Sequence, residues 1–463
     1  MKENILCPLD GRYARKVSAL ARYMGEAALA FARVRTECAW LEEILSLNLP
    51  GVPAPAKAQL KILQQIPSLN EKDLAALQEY EFSGRNGRPA TNHDVKAVEY
   101  FIQEKLSAAA LKKYTPWIHF ALTSEDVNSV SYAVLLSDGL EKGLLPALEN
   151  LRRSLAALAR KEAKSVLLAR THGQPAVPTT FGKEVRVFER RLARQLEQLR
   201  KTRISCKFSG AVGCYNAHMA AFARVDWPRT ARRLVDKLNK GRKIKLFLSP
   251  LSTQIDNRDS YAELFDNLRR VNVILLGVCQ DFWRYISDGL LKQNARPGEV
   301  GSSTMPQKIN PIDFENAEGN LQLCNALLGF FSQKLPLSRL QRDLSDSTVL
   351  RNMGMAFGYA LAAYDSLLKG INKVSFNRQA AREQLAAHPE VLAEGLQTLL
   401  RAAGIPEAYE KVKAFTRGRF FNKQDLQDFI NELDTDAQTK ERLRALTVFS
   451  YVGLAPRQAG GKL

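Results

Sequence analysis

The chain has 463 residues, of which 45% are hydrophobic and 25% are charged, a composition typical of a folded globular protein. This length exceeds what a single hydrophobic core usually organises and predicts about three domains. No apolar run approaches the roughly 20 residues that cross a bilayer, and the first residues, MKENILCPLDGRY, lack the apolar core of a signal peptide. We therefore expect a cytoplasmic protein with no membrane partner.

Positive charge is in excess, with 67 basic and 48 acidic residues and a net charge of +19. Such an excess can indicate a nucleic-acid-binding protein. The basic residues are, however, dispersed along stretches such as 186–203 and 229–245, where aromatic residues are few, and no zinc-finger or RNP pattern accompanies them. A solvated basic surface explains the charge best, followed by a surface that attracts a polyanionic small substrate. We expect no nucleic-acid partner.

The cysteines and histidines do not form a metal-binding pattern. Six cysteines are spread over the chain without a CxxC pair, and the five histidines include neither an HExxH motif nor two residues three to five apart. Disulfide frameworks and zinc sites need clustered spacing. We therefore expect reduced, mostly packed thiols and no metal site.

Apolar residues recur at steps of three and four in four long stretches, at 144–158, 185–199, 264–285 and 314–328. This spacing predicts helices that bury one face against other helices. Ser260 with Glu263 fits a capping box that begins the third helix. Alternating strand patterns are nearly absent, so the predicted fold class is all-α, with the long helices packed as a bundle.

Short polar segments connect these helices, at 91–94 (TNHD), 123–126 (TSED), 170–178 (RTHGQPAVP) and 298–311 (GEVGSSTMPQKINP). We expect them to be loops at helix ends, where reactive side chains are displayed without disturbing the core. Helices look shorter and more charged after about residue 365. The predicted domains are therefore 1–115, 116–365 and 366–463, with the 298–311 segment in the central one.

The segment 301–310, GSSTMPQKIN, is the most informative. A flexible exposed loop would explain the Gly-Ser-Ser-Thr run, but not Lys308 and Asn310 placed just before a helix predicted at 312–334. Backbone N–H groups, a lysine and a helix N-terminus in one place favour an anion site. A serine there could act as a nucleophile or as a base.

This segment resembles the signature loop of the fumarase/aspartase superfamily, GSSxMPxKxNP. Six further segments resemble the long bacterial form of the adenylosuccinate lyase family: PLDGRY, TNHDVKAVEY, HFALTSEDVN, RTHGQPAVPTTFGKE, SGAVGCYNAH and SRLQRDLSDSTVLRN. The resemblance to this family extends over nearly the whole chain up to about residue 420, beyond the segments quoted. Two positions depart from the family: Gln307 stands where His is frequent, and Cys214 where Asn is usual.

The resemblance implies a three-domain all-α fold whose central long-helix bundle is completed by tetramerisation, with active sites shared between subunits. It also implies β-elimination of fumarate from adenylosuccinate, giving AMP, and from the succinylated aminoimidazole carboxamide ribotide (SAICAR), giving AICAR. No cofactor is expected for this reaction.

By the same resemblance, Ser302 is the base that removes the proton, and Ser303 is the alternative. His172 is the general acid for the departing nitrogen, a role that suits histidine because its imidazole can both give and take a proton near neutral pH; on its own, a loop histidine would more often be structural. His119, His218 and His388 receive no catalytic role.

The remaining residues that the resemblance implies bind substrate or its surroundings. Lys308 and Asn310 are expected at the succinyl carboxylates, Asp94 is expected to orient the His93 ring, and Glu315 either supports the signature loop or is a plain helix N-terminal acid. The other predicted contacts are Arg12 and Tyr13 beside the phosphate, Asn92, His93, Thr123, Ser124, Gln254 and Ser303, and a nucleotide-end clamp of Arg342, Ser347, Thr348, Val349, Leu350 and Arg351.

Three other functions compete with this prediction. Another lyase of the superfamily, such as argininosuccinate lyase or fumarase, would share the GSS loop but not the segments at 91–100 and 338–352. A helical scaffold that had lost activity would not be expected to keep Ser302, His172 and Lys308 together. A nucleic-acid binder is suggested by the charge alone.

Overall fold

Helices form most of the chain in the computed structural model, which describes residues 5–294, 305, 307–417 and 421–461. The α-helices of the described residues are α1 (Ala14–Met24), α2 (Glu26–Ser46), α3 (Lys57–Gln65), α4 (Glu71–Phe82), α5 (Asp94–Ala108), α6 (Ser124–Asp138), α7 (Leu145–Lys161), α8 (Phe181–Lys201), α9 (Asn216–Ala221), α10 (Trp227–Leu238), α11 (Asp259–Ser287), α12 (Ile312–Lys334), α13 (Ser345–Leu350), α14 (Met353–Ile371), α15 (Arg378–Ala386), α16 (Ala393–Ala402), α17 (Ala408–Thr416), α18 (Lys423–Glu432), α19 (Ala437–Ala445) and α20 (Ala455–Gly460).

Strands are few and short. They are β1 (Val166–Thr171), β2 (Gln174–Thr180), β3 (Arg203–Cys206), β4 (Lys245–Leu248), β5 (Leu291–Gln293) and β6 (Val374–Phe376). β1 and β2 pair antiparallel, β3 and β4 pair parallel, and β5 and β6 pair antiparallel.

The four predicted long helices are present as α7, α8, α11 and α12, and the spacing of their apolar residues has the predicted effect. In α8, Leu192, Leu196 and Leu199 are fully buried, and in α12 so are Ala317 and Leu321. In α8, the charged residues between these leucines, Arg194 and Glu197, are exposed, as expected for an amphipathic helix.

The predicted start of α11 is wrong. The helix begins at Asp259, so Ser260 lies inside its first turn rather than at a cap. The Ser260 hydroxyl is buried and accepts a hydrogen bond from the Ser205 N–H at 2.8 Å. The Ser260 oxygen, which would accept from a backbone N–H of α11 in a capping box, therefore accepts from Ser205 of β3 instead.

The chain divides into two compact units. Unit 1 comprises residues 1–148, 195–273 and 319–365, and unit 2 comprises residues 149–194, 274–318 and 366–463. The three domains expected from the sequence stay a prediction, and the boundary at 365–366 occurs in both divisions.

Unit 1 has a core of closely packed helices. α2 packs along α6, with Trp40 and Val34 fully buried. A buried polar link joins the unit 1 portions of α11, α12 and α14: Asn272 Nδ2 donates to Asn325 Oδ1 at 2.9 Å, and Asn272 Oδ1 accepts from the Tyr364 hydroxyl at 2.8 Å. Because both polar atoms of the buried Asn272 amide have partners, this link connects the three helices without leaving that amide unsatisfied.

Unit 2 combines the short hairpins with a cluster of small helices. The rings of Phe181 and Phe376 stack with centroids 4.8 Å apart, which packs the start of α8 on β6. A separate cluster of buried aliphatic residues joins the helices after residue 378, with Leu385, Leu396 and Leu443 at its centre. Within the described part of the chain, no helix is both long enough and apolar enough to span a membrane.

Candidate active site

The site in unit 1 is organised by the first turn of α6. The Thr123 N–H donates to Asp126 Oδ2 at 2.9 Å, which caps the helix as the S/T-x-x-acid pattern favours. Thr123 and Ser124 are half-buried, whereas Glu125 and Asp126 are buried. Two partly exposed hydroxyl residues therefore directly precede two buried carboxylates, and both carboxylates pair with residues of other segments.

His93 lies beside Ser124. It is the N-cap of α5, where the Lys96 N–H donates to its Nδ1 at 3.3 Å. In the neutral ring the proton is then on Nε2, which lies 3.5 Å from Ser124 Oγ. With 51% of its side chain exposed, His93 forms with Ser124 one polar face open to solvent. Asn92, with a φ of +46°, turns the chain into this position.

The prediction that Asp94 orients the His93 ring is wrong. The nearer carboxylate oxygen is 3.8 Å from His93 Nδ1, which already accepts from Lys96. The Lys96 N–H, in the first turn of α5, therefore orients the His93 ring in place of the Asp94 carboxylate.

Asp94 instead anchors two arginines. Its Oδ2 lies 2.7 Å from Arg33 Nη2 and 2.8 Å from Arg351 Nη2, while Oδ1 accepts from the Val95 N–H at 2.8 Å. Burial alone would raise the pKa of Asp94, but the two guanidinium groups outweigh it and the pKa lies below its ordinary value. Arg351, part of the predicted clamp, is thereby held next to the 91–94 segment with 46% of its side chain exposed.

Arg342 is the second held arginine. Its Nη2 lies 3.1 Å from Glu125 Oε2, and its Nη1 donates to Gln254 Oε1 at 3.4 Å. α13 follows directly, so Ser347, Thr348, Val349 and Leu350 form one helical turn between the two arginines. The structure thus brings Thr123, Ser124 and Gln254 together with the clamp in unit 1.

A cavity of about 560 Å³ in unit 1 adjoins the clamp. Asp94 and Arg351 line it, together with Asp10 from the segment that precedes α1. Arg12, which is exposed, and the half-buried Tyr13 follow Asp10 directly. Their contact with a phosphate stays a prediction.

His172 lies in unit 2, in the turn of a β-hairpin. The segment 170–178 was expected to be a loop, but Thr171 pairs with Gln174, leaving only His172 and Gly173 as the connection. Their φ values are +53° and +74°, as a type I′ turn requires. β-branched residues stand at both outer ends of the hairpin, Val166 in β1 and Thr179 and Thr180 in β2, where they favour strands, and the turn presents an exposed His172 at its tip.

The signature loop is described only in part. Ser302 and Ser303, the two predicted bases, lie outside the described residues. Lys308 is exposed, Asn310 is half-buried, and the Ile309 carbonyl accepts from Gln293 Nε2 at 2.8 Å. Glu315 accepts a hydrogen bond from Trp283 Nε1 at 3.1 Å, so its carboxylate has a structural partner.

Several buried charged residues of the site escaped the sequence prediction. Glu125 and Asp126 were visible only as the end of the TSED segment, and Asp346 only as part of the clamp segment. The sequence could have indicated Arg33, because a cation inside the apolar run of α2 must find a partner. Nothing in the sequence indicates Arg258 or Lys207, because their partners are distant in the chain.

The histidines outside the site have structural surroundings. His119 Nδ1 lies 2.6 Å from Glu37 Oε1; burial lowers its pKa, the carboxylate raises it more, and the net pKa is above its ordinary value. His218 is completely buried among aromatic rings. All six cysteines are free, and Cys38, Cys206, Cys279 and Cys324 are buried. Among the described residues, no group of three potential ligands is placed to hold a metal ion.

Comparison with known proteins identifies the family. Residues 17–327 match the lyase family model, and residues 338–452 match the model of the adenylosuccinate lyase C-terminal region. The adenylosuccinate lyase of Legionella pneumophila (strain Philadelphia 1) is 44% identical over 455 residues, covering 98% of this chain and 97% of the relative. That of Escherichia coli (strain K12) is 44% identical over 451 residues, covering 97% and 96%.

A solved structure supports the fold independently. A fumarate lyase from Mesorhizobium sp. BNC1 superimposes with a TM-score of 0.74 over 97% of each chain, at 18% sequence identity. The predicted all-α fold of the fumarase/aspartase type is confirmed. With near-complete coverage of curated relatives at 44% identity, the chain belongs to the adenylosuccinate lyase family.

Proposed function

We propose that the chain catalyses the β-elimination of fumarate from adenylosuccinate, which yields AMP, and from SAICAR, which yields AICAR. The observation that carries this proposal is the 44% identity to adenylosuccinate lyases along nearly the whole chain. The arrangement in unit 1 suits it: Arg342 and Arg351 retain N–H donors for a phosphate, and Thr123, Ser124 and His93 offer further hydrogen-bonding groups.

In this reaction a proton leaves the carbon next to one carboxylate, and the bond from the neighbouring carbon to the purine nitrogen breaks. Negative charge accumulates on the carboxylate before the nitrogen departs. Catalysis therefore requires a base, an acid and fixed positive charge near that carboxylate.

We assign the base to Ser302, with Ser303 as the alternative, and the acid to His172. A serine hydroxyl is a weak base, so it needs nearby N–H groups and Lys308 to stabilise its deprotonated form. Lys308 and Asn310 take the succinyl carboxylates in this scheme. The exposed position of His172 in a two-residue hairpin turn suits a group that must reach a substrate.

The nucleotide end is assigned to the unit 1 residues. Arginine side chains suit the phosphate, because a guanidinium offers paired donors in a plane. Arg12 and Tyr13 join Arg342 and Arg351 there, and Gln254 and Asn92 contact the remainder of the substrate.

We also propose a homotetramer with shared sites. Three apolar side chains in the unit 1 portions of the long helices are exposed: Val273 of α11 (55%), and Leu323 (54%) and Phe330 (51%) of α12. Exposed large apolar groups on long helices favour burial against other helices. A cytoplasmic location is part of the same proposal, because charged nucleotides do not cross an apolar bilayer unaided.

An ultraviolet assay with adenylosuccinate tests the activity. Purified protein is expected to form AMP and fumarate, with or without EDTA, and to leave argininosuccinate and malate unchanged. Turnover of argininosuccinate without turnover of adenylosuccinate would move the chain to a different reaction of the same superfamily.

A further inference from the structure

Four charged side chains of unit 1 form a closed ring of alternating sign. Arg258 Nη2 lies 2.9 Å from Glu125 Oε1, and Glu125 Oε2 lies 3.1 Å from Arg342 Nη2. Arg342 Nε lies 3.8 Å from Asp346 Oδ1, and Asp346 Oδ2 lies 2.7 Å from Arg258 Nη1. Each carboxylate therefore faces one arginine with each of its oxygens.

The ring opens to solvent only at Arg342. The side chains of Arg258, Glu125 and Asp346 are 2%, 2% and 1% exposed, whereas that of Arg342 is 19% exposed. Arg342 is also the member that we assign to the substrate phosphate. Arg258 lies behind it and has no route to a ligand.

The charges of the ring balance because of Arg258. With two arginines and two carboxylates the sum is zero. Without Arg258, Arg342 would face Glu125 and Asp346 alone, and the sum would be −1. Buried carboxylates attract the remaining cation strongly and repel an approaching phosphate, since a low-dielectric interior screens them poorly.

The backbone fixes Arg258 in this place. Its φ is +59°, a left-handed value that is uncommon for a side chain of this size. Its N–H donates to Asp256 Oδ2 at 2.9 Å, and the same carboxylate oxygen accepts from the Ser205 hydroxyl at 2.6 Å. A strained position that several hydrogen bonds enforce is typical of functional regions.

We propose that Arg258 is a positioning residue for phosphate recognition: it neutralises Glu125 and Asp346, so that Arg342 keeps both its orientation and its positive charge for the substrate. This inference rests on the proposed function. It assigns to Arg258 no contact with substrate, and its effect is therefore confined to the phosphate end.

The test compares a substrate with and without its phosphate. The ratio of kcat/KM for adenylosuccinate to that for its dephosphorylated nucleoside measures phosphate recognition. Arg258→Gln is expected to lower this ratio at least about tenfold, the scale of one charge-assisted hydrogen bond, mostly through KM. Arg258→Lys, which keeps the charge but not the planar fork, is expected to lower it less.

A compensating variant separates positioning from a merely structural role. Arg258→Gln combined with Glu125→Gln restores a neutral ring, and the double variant is expected to recover part of the ratio lost by Arg258→Gln. Arg339→Gln is the matched control, because Arg339 belongs to the same segment as Arg342 but is 86% exposed. Its ratio is expected to equal that of the wild type.

The outcomes are distinguishable. An unchanged ratio in folded Arg258→Gln, or equal losses on both substrates without recovery in the double variant, overturns the positioning role. If Arg258→Gln does not fold, Arg258→Lys and the double variant decide in the same way. A wild type that is inactive on adenylosuccinate instead contradicts the proposed function. The role of Arg258 is then tested without turnover, by calorimetry that compares the affinities for AMP and for adenosine in the wild type and in Arg258→Gln.

Discussion

Lys207 Nζ lies 2.7 Å from Asp126 Oδ1, and neither side chain is exposed to solvent. The same Asp126 oxygen accepts from the N–H groups of Ser209 and Gly210 at 2.8 and 3.1 Å, and its other oxygen caps α6 through Thr123. One buried carboxylate thus ties the candidate substrate-binding turn at 123–124 to the segment that begins at residue 209.

Removing the Lys207 charge is expected to destabilise the fold strongly. Lys207→Met leaves the Asp126 carboxylate buried without a counter-charge, and breaking a buried pair in this way costs about 3–5 kcal/mol. Chemical denaturation measures the loss. Lys201→Met is the matched control: Lys201 pairs with Glu197 at 2.9 Å on an exposed helix surface, where an ion pair contributes at most about 1 kcal/mol.

The double variant Lys207→Met/Asp126→Asn extends this test. If the cost of Lys207→Met arises from an uncompensated charge, the double variant is expected to lose less stability than the sum of the two single variants. Strict additivity would contradict the ion-pair explanation and assign the loss to packing.

The long helices were predictable because the signal is local. The steps of three and four in 185–199 and 314–328 report which face of a helix is buried, and α8 and α12 bury those faces. The hairpin at 166–180 was missed because its strands do not alternate between apolar and polar residues. Its turn is recognisable only from the positive φ values at His172 and Gly173.

The exposed residues of the site could be predicted from the sequence better than the buried charged residues that hold them in place. Segments such as 91–94 and 123–126 carry polar residues at helix starts, and a family resemblance assigns them. Arg258 and Glu125, by contrast, are separated by 133 positions in the chain. A sequence gives the charges of such residues but not their pairing, which depends on how β3, α6 and α11 fold together.

His218 is expected to make the fold less stable in mild acid. Its ring is fully buried against Trp40, Tyr215 and Trp227, and neither nitrogen has a hydrogen-bond partner among the described residues. Burial lowers its pKa to about 4. As the pH falls below about 6.5, the unfolded chain takes up a proton that the native state refuses, so stability falls until about pH 4.

His218→Phe removes this proton linkage while keeping an aromatic ring in the same place. Relative to the wild type, the variant is expected to gain stability as the pH is lowered from 7.5 to 4.5, by about 2–3 kcal/mol for a shift of this size. Unfolding midpoints at several pH values measure the difference. A gap between variant and wild type that stays constant with pH would show that His218 is not buried in its neutral form.

The proposed proton-transfer residues are expected to affect turnover and not folding. Ser302→Ala and His172→Asn should each lower kcat by at least about 100-fold, the scale of general acid–base catalysis. Asparagine is the better replacement for His172, because it tolerates a φ of +53°. Ser303→Ala is the comparison for the base, and a large loss there with near-normal Ser302→Ala would reassign it. Melting temperatures should change little, since His172 is exposed.

Mixing these two variants tests whether sites are shared between subunits. In a tetramer with shared sites, His172 and Ser302 of one site come from two different subunits. When subunits exchange at random, the variant present at each of these two positions is independent of the other. Each position holds the intact residue half of the time, so about a quarter of the sites are expected to be complete. Ser302→Ala and His172→Asn, each inactive alone, should then recover activity near that fraction.

Mass spectrometry of isotopically labelled subunits establishes that exchange has occurred. Complete exchange without recovered activity would mean that one chain supplies both residues, and the proposal of sites shared between subunits would be wrong.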